Sequence, residues 1–191
     1  LIEEVLQLKN QNLIIDISLH LGSLLAIIFY FRKDFFDFSK NLSFFLKIII
    51  ATIPLLPVGY LLNETGIIHE LRNIKVIAWT TLIFSFLLYI SDRKKISKKL
   101  EKNFGFRSCI IFGLFQVMAL VPGVSRAGIT ITAGRFIGFD RTDSSKISFY
   151  LSIPALIVVS IFGIINLSDK NFEFNLIALL GVFLSFLFSY I

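Results

Sequence analysis

The sequence predicts an all-α, polytopic membrane protein with kinked spans and one re-entrant helix pair. Three observations carry that expectation. The 191 residues are 55% hydrophobic, 22 of them Phe, and the mean hydropathy is +0.81, which is more apolar side chain than the surface of a soluble domain can cover. The apolar residues fall in runs of membrane-crossing length separated by short charged stretches, and a chain in lipid must satisfy its backbone internally, which favours helices. Finally, one apolar stretch, between Arg107 and Arg135, is interrupted by Pro-Gly and carries an arginine in its middle.

Taken in order, 1–9 reads as the tail of a helix with Glu3 and Glu4 near its wet end, and Asn10, Gln11 and Asn12 as a polar turn. A first span is expected from Leu13 to Phe31, ending in Arg32-Lys33-Asp34 and followed by a Phe-rich interfacial piece to Lys40. Asp16 and His20 share one face of that span; a polar helix end at the interface and the wall of a cavity both suit them. Gly22 and Ser23 would let another helix approach closely. The second span, Leu42 to Leu62, contains Pro54 and Pro57 and is expected to kink there. A polar loop from Asn63 to Asn73 follows; its Glu64, His69 and Glu70 match no metal-binding spacing. The third span, Ile74 to Ile90, places Trp79 as an interface anchor. Ser91 to Asn103 is a solvated basic loop.

The stretch Ala119 to Thr130, Ala-Leu-Val-Pro-Gly-Val-Ser-Arg-Ala-Gly-Ile-Thr, is the chemical focus of the chain. An arginine at membrane depth costs at least ~2.5 kcal/mol and is expected to face a partner, an anion or a water-filled cavity. Pro122 and Gly123 break the helix, and a helix restarting near Ser125 would aim its free N–H groups at whatever Arg126 binds, an arrangement suited to phosphate. The competing reading is a kinked span with Arg126 snorkelling to an interface. Beyond it, Gly138 to Lys146 reads as a polar loop, Phe149 to Ile165 as a span containing Pro154, Asn166 to Asn175 as polar, and Leu176 to Ile191 as a last span. The chain is expected to be one transmembrane domain, 1–191, cut at both ends from something longer.

Length and charge choose between one crossing and a re-entrant pair for 107–135. Its 29 residues fall short of the roughly 40 that two spans and a turn require. If it enters and leaves by one side, fourteen of the nineteen Lys and Arg lie together: Arg32, Lys33, Lys40 and Lys47, the seven between Arg93 and Arg107, and then Arg135, Arg141 and Lys146. Lys9, Arg72, Lys75 and Lys170 lie opposite. That asymmetry satisfies the positive-inside rule, and a full crossing would weaken it. The net charge of +6 therefore concerns loops near anionic lipid, and no aromatic platform accompanies it to suggest nucleic acid. Cys109 is the single cysteine, which leaves no intramolecular disulfide and no cysteine-based metal site.

Pro122-Gly-Val-Ser125-Arg126-Ala-Gly-Ile-Thr130 resembles the Pro-Gly-x-Ser-Arg-Ser-x-x-Thr signature of the undecaprenyl-diphosphate phosphatases, bacterial membrane enzymes of bacitracin resistance. Asp16-Ile-Ser-Leu-His20-Leu-Gly-Ser-Leu-Leu-Ala, Phe112-Gly-Leu-Phe-Gln116 and Ser148-Phe-Tyr-Leu-Ser-Ile-Pro154 resemble the same family in the same order. The resemblance implies an enzyme of the bacterial plasma (inner) membrane that removes one phosphate from the C55 lipid carrier diphosphate, regenerating carrier for peptidoglycan and other wall polymers. It also implies an inverted-repeat fold, here half-complete. Ser125, Arg126 and Thr130 become the catalytic positions, and Pro122, Gly123, Gly128, Asp16 and His20 the substrate-binding ones. Ala127 replaces the signature's second serine. The family's first motif, two glutamates four apart followed by Ser-Thr-Gly-His, has no match in 1–12, so the divalent cation that the resemblance implies gains no ligand here. A transporter or flippase of the same polyprenyl lipid is the alternative, because broken helices and inverted repeats also build transporters.

Overall fold

Proline, glycine and capping side chains set the helix boundaries. The computed structural model describes residues 12–33, 38–168 and 176–191, and among them the regular structure is entirely helical: α1 (Asn12–Tyr30), α2 (Phe38–Thr52), α3 (Leu55–Glu64), α4 (Ile67–Leu71), α5 (Ile74–Asp92), α6 (Leu100–Asn103), α7 (Phe106–Met118), α8 (Arg126–Ile137), α9 (Arg141–Ser168) and α10 (Leu176–Tyr190). Glu3 and Glu4 lie outside the described residues. Among the described residues three stretches are long and apolar enough to cross a membrane, Leu42–Glu64, Ile74–Asp92 and Arg141–Ile161. On α5, Trp79, Leu82 and Phe86 are each more than 60% exposed, a surface that is stable against lipid tails and costly in water. The chain is a membrane protein.

Four expected loops are corrected: Ser91–Asn103 contains the end of α5 and all of α6, Asn166–Asn175 opens inside α9, which runs to Ser168, and two more differ as follows. The stretch from Asn63 to Asn73 is partly helical, because α3 continues to Glu64 and α4 fills Ile67–Leu71. Gly138 to Lys146 is a loop only to Asp140: the Asp140 carboxylate accepts the Asp143 N–H at 2.7 Å and its carbonyl accepts the Ser144 N–H at 3.0 Å, so α9 begins at Arg141. The second span breaks as expected. Pro54 has no N–H to continue the ladder and caps α3, while Pro57 sits in the first turn, where a missing N–H costs nothing.

The chain divides into two compact units, one made of 1–41 with 152–191, the other of 42–151. In the first, α1 packs on α10 through small residues, as Gly22 and Ser23 suggest. A Cβ on Gly22 would stand 2.9 Å from Phe186 N, Ser23 Oγ lies 3.0 Å from Ser185 Oγ, and Ser185 Oγ donates to Leu19 O at 2.6 Å. Small side chains admit the close approach and hydroxyls fasten it.

The second unit is built around a helical hairpin, α7 and α8. The 13 and 12 residues of these helices give lengths of only ~20 and ~18 Å, short of the ~30 Å hydrocarbon thickness. Phe112 meets Phe139 (6.5 Å between ring centroids) and Phe115 meets Phe136 (6.4 Å), so the helices run antiparallel and the chain returns to the end it entered. Phe104, Phe112 and Phe139 form the aromatic core at that end. Gly138, at φ +106°, closes α8 with the Phe139 N–H on Gly134 O, and its own carbonyl receives the N–H groups of Ser97 and Lys98 at 2.9 and 3.1 Å. Arg135, 4% exposed, gathers the same end: Nη1 donates to Phe139 O (2.6 Å), Nη2 to Asp92 O (2.7 Å) and Lys94 O (3.0 Å), and Nε lies 3.3 Å from Asp92 Oδ1. Arg141 grips both carboxylate oxygens of Asp92, Nε on Oδ1 and Nη2 on Oδ2, and Lys47 Nζ donates to Phe104 O. Lys47, Arg135 and Arg141 thus anchor in the 92–104 region, the grouping expected of a re-entrant pair.

Candidate anion site at the hairpin tip

The loop between α7 and α8 begins where the α7 ladder runs out and ends in a tight turn. The Val124 N–H bonds Val121 O at 3.1 Å, with Pro122 second and Gly123, at φ +91°, third. That is the type II pattern, in which proline presets the first central residue and glycine accepts the positive φ of the next. A Cβ on Gly123 would lie 2.6 Å from Ile77 O and 2.9 Å from Ile77 Cα, so the glycine also lets the turn press against α5. Two hydroxyls of α5 hold it there: Thr80 Oγ1 is 2.7 Å from Pro122 O and Thr81 Oγ1 donates to Gly123 O at 3.0 Å.

Ser125 then caps α8. It sits outside the helix at φ −64°, ψ 121°, accepts the Gly128 N–H on its side-chain oxygen at 3.2 Å and the Ile129 N–H on its carbonyl at 2.9 Å. Its own O–H remains available to donate, and the residue is exposed. The N–H groups of Arg126 and Ala127, in the first turn, have no intrahelical acceptor, and the positive end of the helix dipole is directed out of this turn. Ala127 is exposed beside them.

Arg126 is half-buried. Its Nη2 donates to Leu151 O on α9, and among the described residues it has no carboxylate partner. Leu151 lies three residues before Pro154 on the same helix, and a proline supplies no N–H to the carbonyl four residues before it. Among the described residues one of its five guanidinium N–H groups has an acceptor and its charge has no counter-ion. Thr130, 1% exposed, lies one turn further along α8; its hydroxyl is 2.6 Å from Ser148 Oγ and 2.9 Å from Arg126 O. It couples α8 to α9 and steadies the backbone of Arg126 from behind.

Pro122, Gly123, Ser125, Arg126, Gly128 and Thr130 thus come together in the second unit. Asp16 and His20 lie in the first, exposed on α1 one turn apart. Sequence reasoning missed Thr80 and Thr81, and gave Ser148 no role beyond its place in a family-like stretch. Adjacent threonines inside an apolar span were the available signal for the first two. Among the described residues no group of three or more His, Cys, Asp or Glu could hold a metal ion; they form no site for a divalent cation, and no step of the chemistry is assigned to one.

The site offers a positive helix end, a guanidinium with no carboxylate partner among the described residues and an exposed serine hydroxyl on a braced turn, which together suit a multiply charged oxyanion. The family described as bacitracin resistance protein BacA matches residues 1–191. The undecaprenyl-diphosphatase of Pelagibacter ubique is 48% identical over 191 residues, covering all of this chain and 75% of the relative. Those of Jannaschia sp. and Teredinibacter turnerae are 38% and 39% identical, covering 85% and 82% of this chain and 66% and 64% of their own lengths. The chain spans three quarters of the first relative and about two thirds of the other two.

Proposed function

The chain belongs to the bacitracin resistance protein BacA family, and on that premise we propose that the protein hydrolyses undecaprenyl diphosphate to undecaprenyl phosphate and inorganic phosphate. The observation that carries the reading is Arg126, a half-buried cation with one carbonyl partner and no counter-ion among the described residues. A diphosphate supplies what it lacks. Water adds its oxygen to the terminal phosphorus, the bond from that phosphorus to the bridging oxygen breaks, and the lipid monophosphate leaves. Negative charge spread over the terminal phosphoryl oxygens is held by the Arg126 fork, the Ser125 O–H and the two free N–H groups of α8. Because these donors are fixed before substrate arrives, they favour the transition state without reorganising.

Ser125 and Arg126 touch the phosphoryl groups in this reading. Thr130, Pro122, Gly123 and Gly128 position them. Asp16 and His20 enter as substrate-facing residues on the family resemblance alone. A divalent-cation requirement and a role in recycling lipid carrier for peptidoglycan belong to the same proposal. Detergent-solubilised full-length protein should release one phosphate per undecaprenyl diphosphate, stop on chelation and resume when a divalent cation is restored, and Asp16→Asn should lower turnover at matched expression. Movement of the carrier across liposomes without phosphate release would contradict hydrolysis and favour a flippase.

The location proposed is the bacterial plasma membrane, crossed several times, with the Arg135 end of the hairpin cytoplasmic. The charge asymmetry supports it. In a Cys109→Ser background, an impermeant thiol reagent applied to intact spheroplasts should label Asn63→Cys and spare Lys98→Cys. The reverse pattern would invert the topology.

A further inference from the structure

A cavity of about 310 Å³ opens between α7 and α8 at the base of the hairpin, away from the tip. Arg107 precedes Ala119 by 12 residues along α7, which is ~18 Å of helix, so this cavity and the Arg126 site are separate. Lys98, Arg107 and Ser108 line it together with the apolar Ile111, Phe115, Phe136 and Ile137. The Lys98 backbone is pinned by its N–H to Gly138 O and by its bridge to Phe139, which fixes where its side chain starts. The Phe115 and Phe136 rings, 6.4 Å apart, bound the apolar side.

Charge bookkeeping separates this pair from its neighbours. Arg135 and Arg141 share Asp92, whereas neither the Lys98 ammonium nor the Arg107 guanidinium has a protein partner among the described residues. Two unpaired cations above an apolar slot call for an amphiphile. A free anion would leave the aromatic walls uncovered, and a zwitterionic or neutral lipid would leave net positive charge. We propose that this slot binds an anionic membrane phospholipid, its phosphate between Lys98 and Arg107 and an acyl chain against Phe115 and Phe136. Basic pockets between membrane helices take anionic headgroups by this combination of charge and apolar contact. The lipid would bridge α7 and α8 at the hairpin base.

The test uses full-length protein in nanodiscs of mixed phosphatidylglycerol and phosphatidylcholine, with bound lipid counted by native mass spectrometry. Wild type should retain phosphatidylglycerol over phosphatidylcholine, and Lys98→Ala/Arg107→Ala should lower that retention by about tenfold or more. Lys94→Ala/Lys95→Ala removes the same charge from exposed positions outside the cavity and should retain lipid as wild type does. Undiminished retention by the first variant would overturn the proposal. Equal loss in both would reduce it to general surface charge, and displacement by millimolar inorganic phosphate would assign the slot to a free anion; either result also overturns it. Melting temperatures of both variants close to wild type would confirm that retention, not folding, is being read.

Discussion

Arg126 and Arg135 occupy opposite ends of one helix, and their surroundings differ in every respect that matters. Arg135, at the base of the hairpin, is buried among three carbonyls and a carboxylate. Arg126, at the tip, has one carbonyl partner among the described residues. A saturated arginine is a structural bolt, since its charge and hydrogen bonds are already spent on holding α5, α8 and the 92–94 turn together. A half-buried arginine whose described partner is a single carbonyl keeps donors for a ligand, which is the role proposed for Arg126. The difference lies in partners and not in residue type, which is why charge counting alone weighs the two alike.

The largest expected effect is at the base. Arg135→Ala strands three carbonyls and leaves Asp92 with Arg141 alone, and should cost about 3–5 kcal/mol, read as loss of monodisperse protein or a steep fall in melting temperature. Arg126→Ala should abolish phosphate release while leaving the melting temperature nearly unchanged. A stable Arg135→Ala variant, or an Arg126→Ala variant that fails to fold, would erase the distinction between bolt and binding group.

Substitutions in the turn that presents Arg126 should grade between these extremes. Gly123→Ala forces a side chain into positive φ and against Ile77, with an expected cost of about 2–4 kcal/mol and a loss of turnover larger than the loss of substrate affinity. Thr80→Val removes the bond to Pro122 O while keeping the shape, and should cost only about 1 kcal/mol with a few-fold fall in turnover. If Gly123→Ala were as mild as Thr80→Val, close packing on α5 would not be what positions the turn.

Much of this was legible in the sequence. Hydropathy and length marked the spans, Pro54 marked the break between α2 and α3, and Pro122-Gly123 followed by Ser125 spelled out a turn and a cap, because each is set by neighbours in the chain. The Lys and Arg distribution grouped Lys47, Arg135 and Arg141 with the 91–107 stretch, and these three anchor there. What it did not reveal depends on partners far along the chain. Thr130 reads as a substrate donor in a linear signature, yet Ser148 and the Arg126 carbonyl hold its hydroxyl. Arg135 reads as one more loop charge until Asp92 and Lys94 are brought to it. The start of α9 was missed for a local reason: Asp140 is a ready capping residue, and the polar run after it obscured the cap.

Arg126→Lys tests the account most directly. Lysine keeps the charge and loses the planar fork that can hold Leu151 O and phosphoryl oxygens together. In full-length protein at saturating undecaprenyl diphosphate, turnover should fall by about a hundredfold or more with melting temperature unchanged. Near-wild-type turnover by the lysine variant, at matched membrane expression, would contradict the assignment of Arg126 as the group that grips the diphosphate.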